Sequence, residues 1–417
     1  MKVLVIGAGV VGVTTAFYLQ ADGHDVTVIE RNKSSGLETS FANAGQLCCF
    51  TAKPWASPSV PMMIIREVGN PLAPYLIHLR ADIDMWSWLL RFLNNCRRTK
   101  YDATRTMLLE LAVHSAGLME DLIDTTNIEF DYGRSGILHL YGNQKSFDSA
   151  SNEQLQCFNT EQQGKILQNS ECIALEPALA QGDATYVGGI LHTHEHTGDA
   201  HRFTTELSSL LTTRGVEFLY GVSVKQLLFD GDRVSGITTS NGTLKGDAVV
   251  VSAAVDSVSL LKPVCSRIPI YPVKGYSITV ATSGYNGAPK ISVHDHERKI
   301  GFTKLGDRLR AAGTAELGAR EKAPSQARVE ALKKQTQTIF PTAGDFESAE
   351  LWAGFRPMTP DGAPIVSKTK YKNLFVNTGH GSLGWSLACG SAHTIAEMVA
   401  GRTPAIETSG LVVDRYG

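Results

Sequence analysis

Lys2-Val-Leu-Val-Ile-Gly7-Ala-Gly9-Val-Val-Gly12 opens the chain, and Asp25-Val-Thr-Val-Ile-Glu30 follows a helix-forming stretch from Val13 to Gln20. The two β-branched runs read as buried parallel strands. Gly23, just past the helical stretch, is placed to end it. The three motif glycines have separate duties. Gly7 permits the tight turn, Gly9 lets backbone approach a pyrophosphate, and Gly12 lets helix and strand pack closely. The helix start supplies free N–H groups and a positive dipole end for phosphates. Glu30 stands 18 residues after Gly12, where a carboxylate accepts both hydroxyls of an adenosine ribose. The glycine spacing alone is weak. Strand, turn, helix, strand and acid in that order are specific, and they imply a Rossmann-like α/β dinucleotide domain.

Around that unit the composition narrows the choices. The 417 residues suggest roughly two to three domains. With 43% hydrophobic and 19% charged residues, a disordered chain is excluded. A net charge of −2 offers no basic face, so no nucleic-acid partner is expected. The seven cysteines are scattered without a CxxC and read as reduced thiols in a cytoplasmic compartment. Met1–Leu19 is apolar but carries the motif glycines and no small-residue cleavage site, so it reads as strand and helix rather than a leader. No uninterrupted apolar run of about 18 residues suggests a spanning helix.

Further along, 31–60 reads as loop and 83–125 as helical. Residues 130–141 read as a short hairpin. From 216 to 253 short strands follow one another, with turns at Asp230-Gly231 and Asn241-Gly242. Strands are expected at 268–280 and 300–313, and a helix at 325–340. The end, 374–400, repeats the opening pattern of strand, glycine turn and helix.

Three more stretches carry chemistry. Glu38-Thr-Ser-Phe-Ala-Asn-Ala-Gly-Gln46 is small and glycine-containing, suited to lie against a large planar ligand or its phosphates, though a plain surface loop has the same look. Trp352-Ala-Gly-Phe-Arg-Pro-Met-Thr-Pro-Asp-Gly-Ala-Pro364 sets Arg356 between apolar stretches. Its planar fork suits a carboxylate held by two parallel bonds, and an ion pair with Asp361 is the structural alternative. Asn377-Thr-Gly-His-Gly-Ser-Leu-Gly-Trp385 is a second glycine turn entering a helix. His192, His194 and His196 alternate, as do His294 and His296; zinc could use such spacing, but a polar loop is the better reading and no metal is expected. Trp86, Trp88, Leu89 and Phe92, followed by Arg97, Arg98 and Lys100, form either a core-facing stripe or a membrane-surface helix.

Taken together these stretches, with Thr197-Gly-Asp199 and Tyr271-Pro-Val-Lys-Gly-Tyr-Ser277, resemble the FAD-dependent D-amino-acid oxidase-like superfamily, and its dehydrogenase branch above all. The resemblance spans nearly the whole chain. It implies an FAD-binding domain built from 1–50, 175–262 and 350–417, and an α+β substrate domain from 51–174 and 263–349 with a mixed or antiparallel sheet over the flavin. By family position, Gly7, Gly9, Val10, Val11 and Gly12 face the pyrophosphate, and Glu30 and Arg31 the adenosine. Ser40, Ala44, Gly45 and Gln46 lie along the phosphates and flavin. Val224 meets the adenine, and Gly381, Ser382, Leu383, Gly384 and Trp385 the flavin pyrimidine edge. Arg356 holds the substrate carboxylate, with Tyr276, His294 and His296 as pocket-wall candidates. The sequence departs from the family pattern at Ala254, where glycine is usual, at Asp256, where an aromatic is usual, and at His294, His296 and Arg298.

The expected function is therefore FAD-dependent oxidative deamination of D-amino acids. The substrate is a small-molecule amino acid whose Cα hydrogen leaves as hydride, and a quinone or similar acceptor takes the electrons. Peripheral contact with the inner face of the cell membrane is expected for a quinone user. The alternatives are an oxygen-using oxidase of glycine, sarcosine or a proline derivative, and a flavin-binding scaffold without activity. Oxygen reactivity turns on a cation close to the flavin, and Lys274 is the candidate.

Overall fold

The computed structural model describes residues 1–417 apart from 68, 156–162, 266–267 and 417; Cys157 lies outside the described residues. A six-stranded sheet runs in the order Ile365–Lys368, Leu374–Thr378, Ala248–Val251, Lys2–Ile6, Asp25–Glu30 and Glu217–Tyr220. Its strands are parallel except for the first pair. Alternate residues serve opposite layers. Val3, Val5, Val26, Val28 and Val250 pack against helices Val10–Ala21, Ala200–Thr213 and Gly384–Val399. Leu4, Ile6, Ile29, Val249 and Val251 pack against a three-stranded meander, Val224–Asp230, Arg233–Thr239 and Gly242–Leu244. Burial on both faces is why these strands are continuous apolar runs.

A nine-stranded sheet stands beside it, in the order Glu350–Met358, Tyr271–Ala281, Arg308–Leu317, Ile300–Leu305, Ser292–Asp295, Ile137–Tyr141, Gly188–His192 and Lys165–Gln168, with Tyr75–Ile77 added beside Arg308–Leu317. It is mixed, as expected. One face buries Tyr276, Ile278, Phe302 and Leu309 with helix Gln326–Ile339. The other turns to the first sheet's layers, where Arg308 meets Asp199 at 3.0 Å.

Several expectations shift. Gly188–His192 and Glu350–Met358 fall in segments assigned to the first domain, yet both belong to the second sheet. Their backbones pair with Ile137–Tyr141 and Tyr271–Ala281, and an apolar strand does not reveal which sheet edge it will join. The hairpin at 130–141 does not form. Only Ile137–Tyr141 is a strand, and Gly133 makes an isolated bridge to Thr197. The helical stretch 83–125 is two helices, Ile83–Asn95 and Arg98–Thr126. His192 ends one strand and His196 begins another, so the alternating histidines do not share a strand. Among the described residues no group could hold a metal, the six described cysteines are free, and no helix is long and apolar enough to cross a membrane.

Candidate functional site

The carboxyl ends of the central parallel strands open on a cavity of about 500 Å³, the place where sheets of this kind receive ligands. Gly7 leaves the first strand at φ +104, and a Cβ there would stand 2.6 Å from the Ser252 carbonyl oxygen. A Cβ on Gly12 would lie 1.9 Å from the Gly7 carbonyl oxygen. These two glycines serve the close fit of turn, helix and strand. Gly9 differs: it lines the cavity, and a Cβ there meets only Ser40 Oγ, at 3.5 Å. Its role is to leave room. Val10 and Val11 line the cavity behind it, and Ser40 Oγ accepts from the Val10 N–H at 3.0 Å.

Glu30 is positioned by its neighbours. Its carboxylate accepts from the Ala8 N–H at 2.8 Å and from the Asn32 N–H at 2.8 Å, which aims it at the cavity. Arg31 lies at the cavity rim, paired with Asp256 and, at 2.7 Å, with Glu38. Val224 lines the same end. At the far end Gly381, Ser382, Gly384 and Trp385 form a second glycine turn and helix start. Leu383 is not part of the wall; its carbonyl begins the helix by accepting from Leu387. Ala44, Gly45 and Gln46 also lie outside it. Gly45 accepts from the Gly198 N–H, and the Gln46 side chain lies against Gly301 of the second sheet.

Ser252, Thr378 and Lys322 line the cavity without having been singled out. Ser252 had a legible signal, since it ends the apolar run Val249–Val251 at a strand's carboxyl end. Ala254 explains the family's usual glycine: its φ is +49, and it lines the cavity. That conformation costs a side-chain-bearing residue about 1 kcal/mol. Ala254→Gly should therefore raise the melting temperature of the holoprotein, on the order of 2 °C by thermal scan.

Arg356 lies against the second sheet at the cavity's inner wall. A Cβ on Gly275 would stand 2.3 Å from its guanidinium carbon, and the Trp55 ring lies on it with a centroid distance of 5.5 Å. Nη1 donates to the Thr314 carbonyl at 2.9 Å. Thr314 itself has φ +57, an unusual conformation for a β-branched residue and a sign of local backbone strain. Asp361 is not its partner; that carboxylate pairs with Arg415 at 2.9 Å. Burial without an anion brings the Arg356 pKa down to about 10, so it stays charged at neutral pH.

The other two catalytic candidates stand elsewhere. Tyr276 projects from the opposite face of its strand, fully buried and hydrogen-bonded to Glu316. Gly275 faces Arg356, so the period of two sends Tyr276 away. His296 stacks on Tyr141 at 4.4 Å, beyond the cavity wall. Arg298 turns back to Asp295 at 2.7 Å.

Burial strips several histidines of their charge. His139, His294 and His380 are pushed down to about 3 and His192 to about 4. The unfolded chain takes up protons on these groups below pH 6.5, while the fold does not. Their contribution is complete at neutral pH and is lost as the pH falls, up to about 1.4 kcal/mol per histidine per pH unit. Glu195, raised by burial, opposes this with one group against four. Urea midpoints should fall steeply between pH 6.5 and 4.5.

Buried polar atoms test whether a flavin dinucleotide fits. Ser252 Oγ, Asn377 Oδ1 and Trp385 Nε1 have no partner among the described residues, and all three residues line the cavity. Two helix starts, a carboxylate facing the cavity, unpartnered polar atoms and a guanidinium with no carboxylate among the described residues suit an FAD-dependent oxidoreductase. The chain belongs to the family described as FAD dependent oxidoreductase, which it matches over residues 2–398. It is 43% identical over 417 residues to a D-amino acid dehydrogenase of Paramagnetospirillum magneticum, covering 100% of this chain and 99% of the relative. It is 39% identical over 416 residues to a D-amino acid dehydrogenase of Granulibacter bethesdensis, covering 100% of both. Among solved structures, glycine oxidase from Bacillus cereus matches with a TM-score of 0.76 at 20% identity, covering 99% of this chain and 98% of that one. That likeness shows the fold.

Proposed function

We propose that the protein oxidises D-amino acids to 2-oxo acids and ammonia and passes the electrons to a quinone rather than to oxygen. The observation that carries the reading is Arg356, a charged guanidinium without an acid partner among the described residues, on the wall of the dinucleotide cavity. Its free N–H groups suit a carboxylate, and its place between Gly275 and Trp55 holds the fork still. FAD bound in the cavity supplies the hydride acceptor. The protein's share is orientation, worth several kcal/mol when one face of Cα is presented consistently. The relatives' printed activity supports the same substrate class. An anaerobic panel of D- and L-amino acids, glycine, sarcosine and cyclic amines tests it. Bleaching by D-amino acids is expected; bleaching by glycine or sarcosine alone would promote the oxidase alternative.

Lys274 supports the acceptor. It stands on the face away from Arg356, and its Nζ donates to the Ala323 carbonyl at 2.6 Å. Lys322, at the cavity rim, is held by Glu38 at 2.8 Å. Turnover with a soluble quinone under argon should far exceed turnover in air. Peroxide formed in air at the quinone rate would overturn this choice.

The quinone reading extends to a surface. Helix Ile83–Asn95 buries Met85, Trp88 and Phe92, while Ile83 is 85% and Leu90 66% exposed. Met62 and Ile65, on helix Val60–Glu67, are also exposed. With Arg91, Arg97, Arg98 and Lys100 close in sequence, this surface suits peripheral docking on anionic lipid. Co-flotation with anionic but not neutral vesicles is the expected result.

A further inference from the structure

Four charged side chains stand in a line at the opening of the dinucleotide cavity. Lys322 Nζ lies 2.8 Å from each carboxylate oxygen of Glu38. Glu38 Oε1 also accepts from Arg31 Nη2 at 2.7 Å, and Arg31 Nη1 donates to Asp256. All four residues line the cavity. Their side chains are between 36% and 59% exposed, whereas Glu30 is 8% exposed, so the line lies on the solvent side of that carboxylate. Burial works against charge on Glu38, yet hydrogen bonds from Lys322 and Arg31 hold its carboxyl below the ordinary range. Glu38 is therefore ionised at neutral pH and holds both cations.

Chain topology sets this line across the cavity mouth. Asp25–Glu30 and Ala248–Val251 flank Lys2–Ile6, one on each side and both parallel to it. Arg31 directly follows the first of these strands, and Asp256 closes the short turn Ala254–Asp256 after the second. Gly7 leaves the strand between them. The Arg31–Asp256 pair thus bridges two strand spacings, about 10 Å, at the end where the central strand enters its glycine turn. Lys322 comes from the other sheet. It follows the strand Arg308–Leu317, and the carbonyl of its neighbour Ala323 accepts from Lys274 Nζ at 2.6 Å. The line therefore begins on the first sheet and ends on a loop held by the second.

We propose that Asp256, Arg31, Glu38 and Lys322 form a clasp across the adenosine end of the cavity, and that its opening sets the rate at which FAD enters and leaves. A dinucleotide whose ribose meets Glu30 lies behind the four side chains. The clasp acts on entry and exit alike, because both use the same opening. It is made of exposed ion pairs, so it is weak enough to open and is loosened by salt. Glu38 is shared by two cations and Arg31 by two carboxylates, so the loss of either end loosens the rest.

Lys322→Met and Asp256→Asn test it in the holoenzyme, with exchange of bound FAD against excess radiolabelled FAD as the readout. The two variants change the local charge in opposite directions. A simple field on the cofactor's phosphates would speed release in Lys322→Met and slow it in Asp256→Asn. The clasp predicts faster exchange in both, by about fivefold each, the upper range for an exposed pair. The dissociation constant from equilibrium dialysis should change little. Wild-type exchange should quicken between about 0.1 M and 1 M KCl, over which the screening length falls from about 10 to 3 Å. Both variants should lose most of that salt dependence. The wild-type salt series stands even where a variant fails to fold. Opposite shifts in the two variants, exchange at the wild-type rate in both, or wild-type exchange indifferent to salt would overturn the clasp. A dissociation constant that weakens in step with exchange would make these residues FAD contacts and overturn it as well.

Discussion

Gly9→Val should give a folded chain that carries no FAD. Among the described residues, chain neighbours aside, a Cβ at this position meets only Ser40 Oγ, at an ordinary 3.5 Å, so the added side chain enters the cavity rather than the core. Gly9 already sits at φ −71, ψ 175, which valine tolerates. The helix start therefore survives while the space for a pyrophosphate is filled. Purified Gly9→Val protein should be colourless, with a far-ultraviolet spectrum like that of wild-type apoprotein and an FAD-to-chain ratio near zero. Gly12→Val should instead fail to accumulate, because its side chain would collide with the Gly7 carbonyl. Full FAD content in Gly9→Val would remove the phosphate assignment.

Arg356→Lys should lose about 2–3 kcal/mol in kcat/KM for every amino acid substrate, a factor of roughly 30 to 150. Lysine keeps the charge but cannot offer two parallel donors. An amine without a carboxylate should be nearly indifferent. Stability separates this role from a structural one. Arg356 has no acid partner among the described residues, so Arg356→Met should lose no more than about 1 kcal/mol, the price of the Thr314 carbonyl bond. Arg415 provides the contrast: it pairs with Asp361 in a largely buried setting, and Arg415→Met leaves that carboxylate uncompensated, at about 3 kcal/mol or more. Equal destabilisation by the two variants, with an unchanged KM in Arg356→Lys, would make Arg356 a structural residue.

Local chemistry was legible from the residues themselves. Strand, glycine turn, helix and acid are contiguous between Lys2 and Glu30, and each acts through its own backbone or its nearest neighbours. The second glycine turn at 379–384 and the turns at Asp230-Gly231 and Asn241-Gly242 were readable for the same reason. The reach of Arg356 was half legible, since its residue type suggested a carboxylate but its partner could not be read. Only the fold shows that Arg415, 54 residues after Asp361, takes that acid.

What the sequence by itself determined is the strand, glycine turn, helix and strand of the opening unit, and the residue types that the fold then set along the cavity, Gly9, Glu30 and Arg356 among them. Tertiary structure alone decided which strands share a sheet and which face each side chain meets. Gly188–His192 and Glu350–Met358 joined the second sheet through edge hydrogen bonds to distant strands. Tyr276 lost its place at the site because a strand sends neighbours to opposite faces, and Gly275 had taken the one beside Arg356. His139, on Ile137–Tyr141, and His296, just after Ser292–Asp295, met Glu195 in one hydrogen-bonded row for the same reason. Pairing across a sheet depends on partners far away in sequence, and no local pattern encodes which partner arrives.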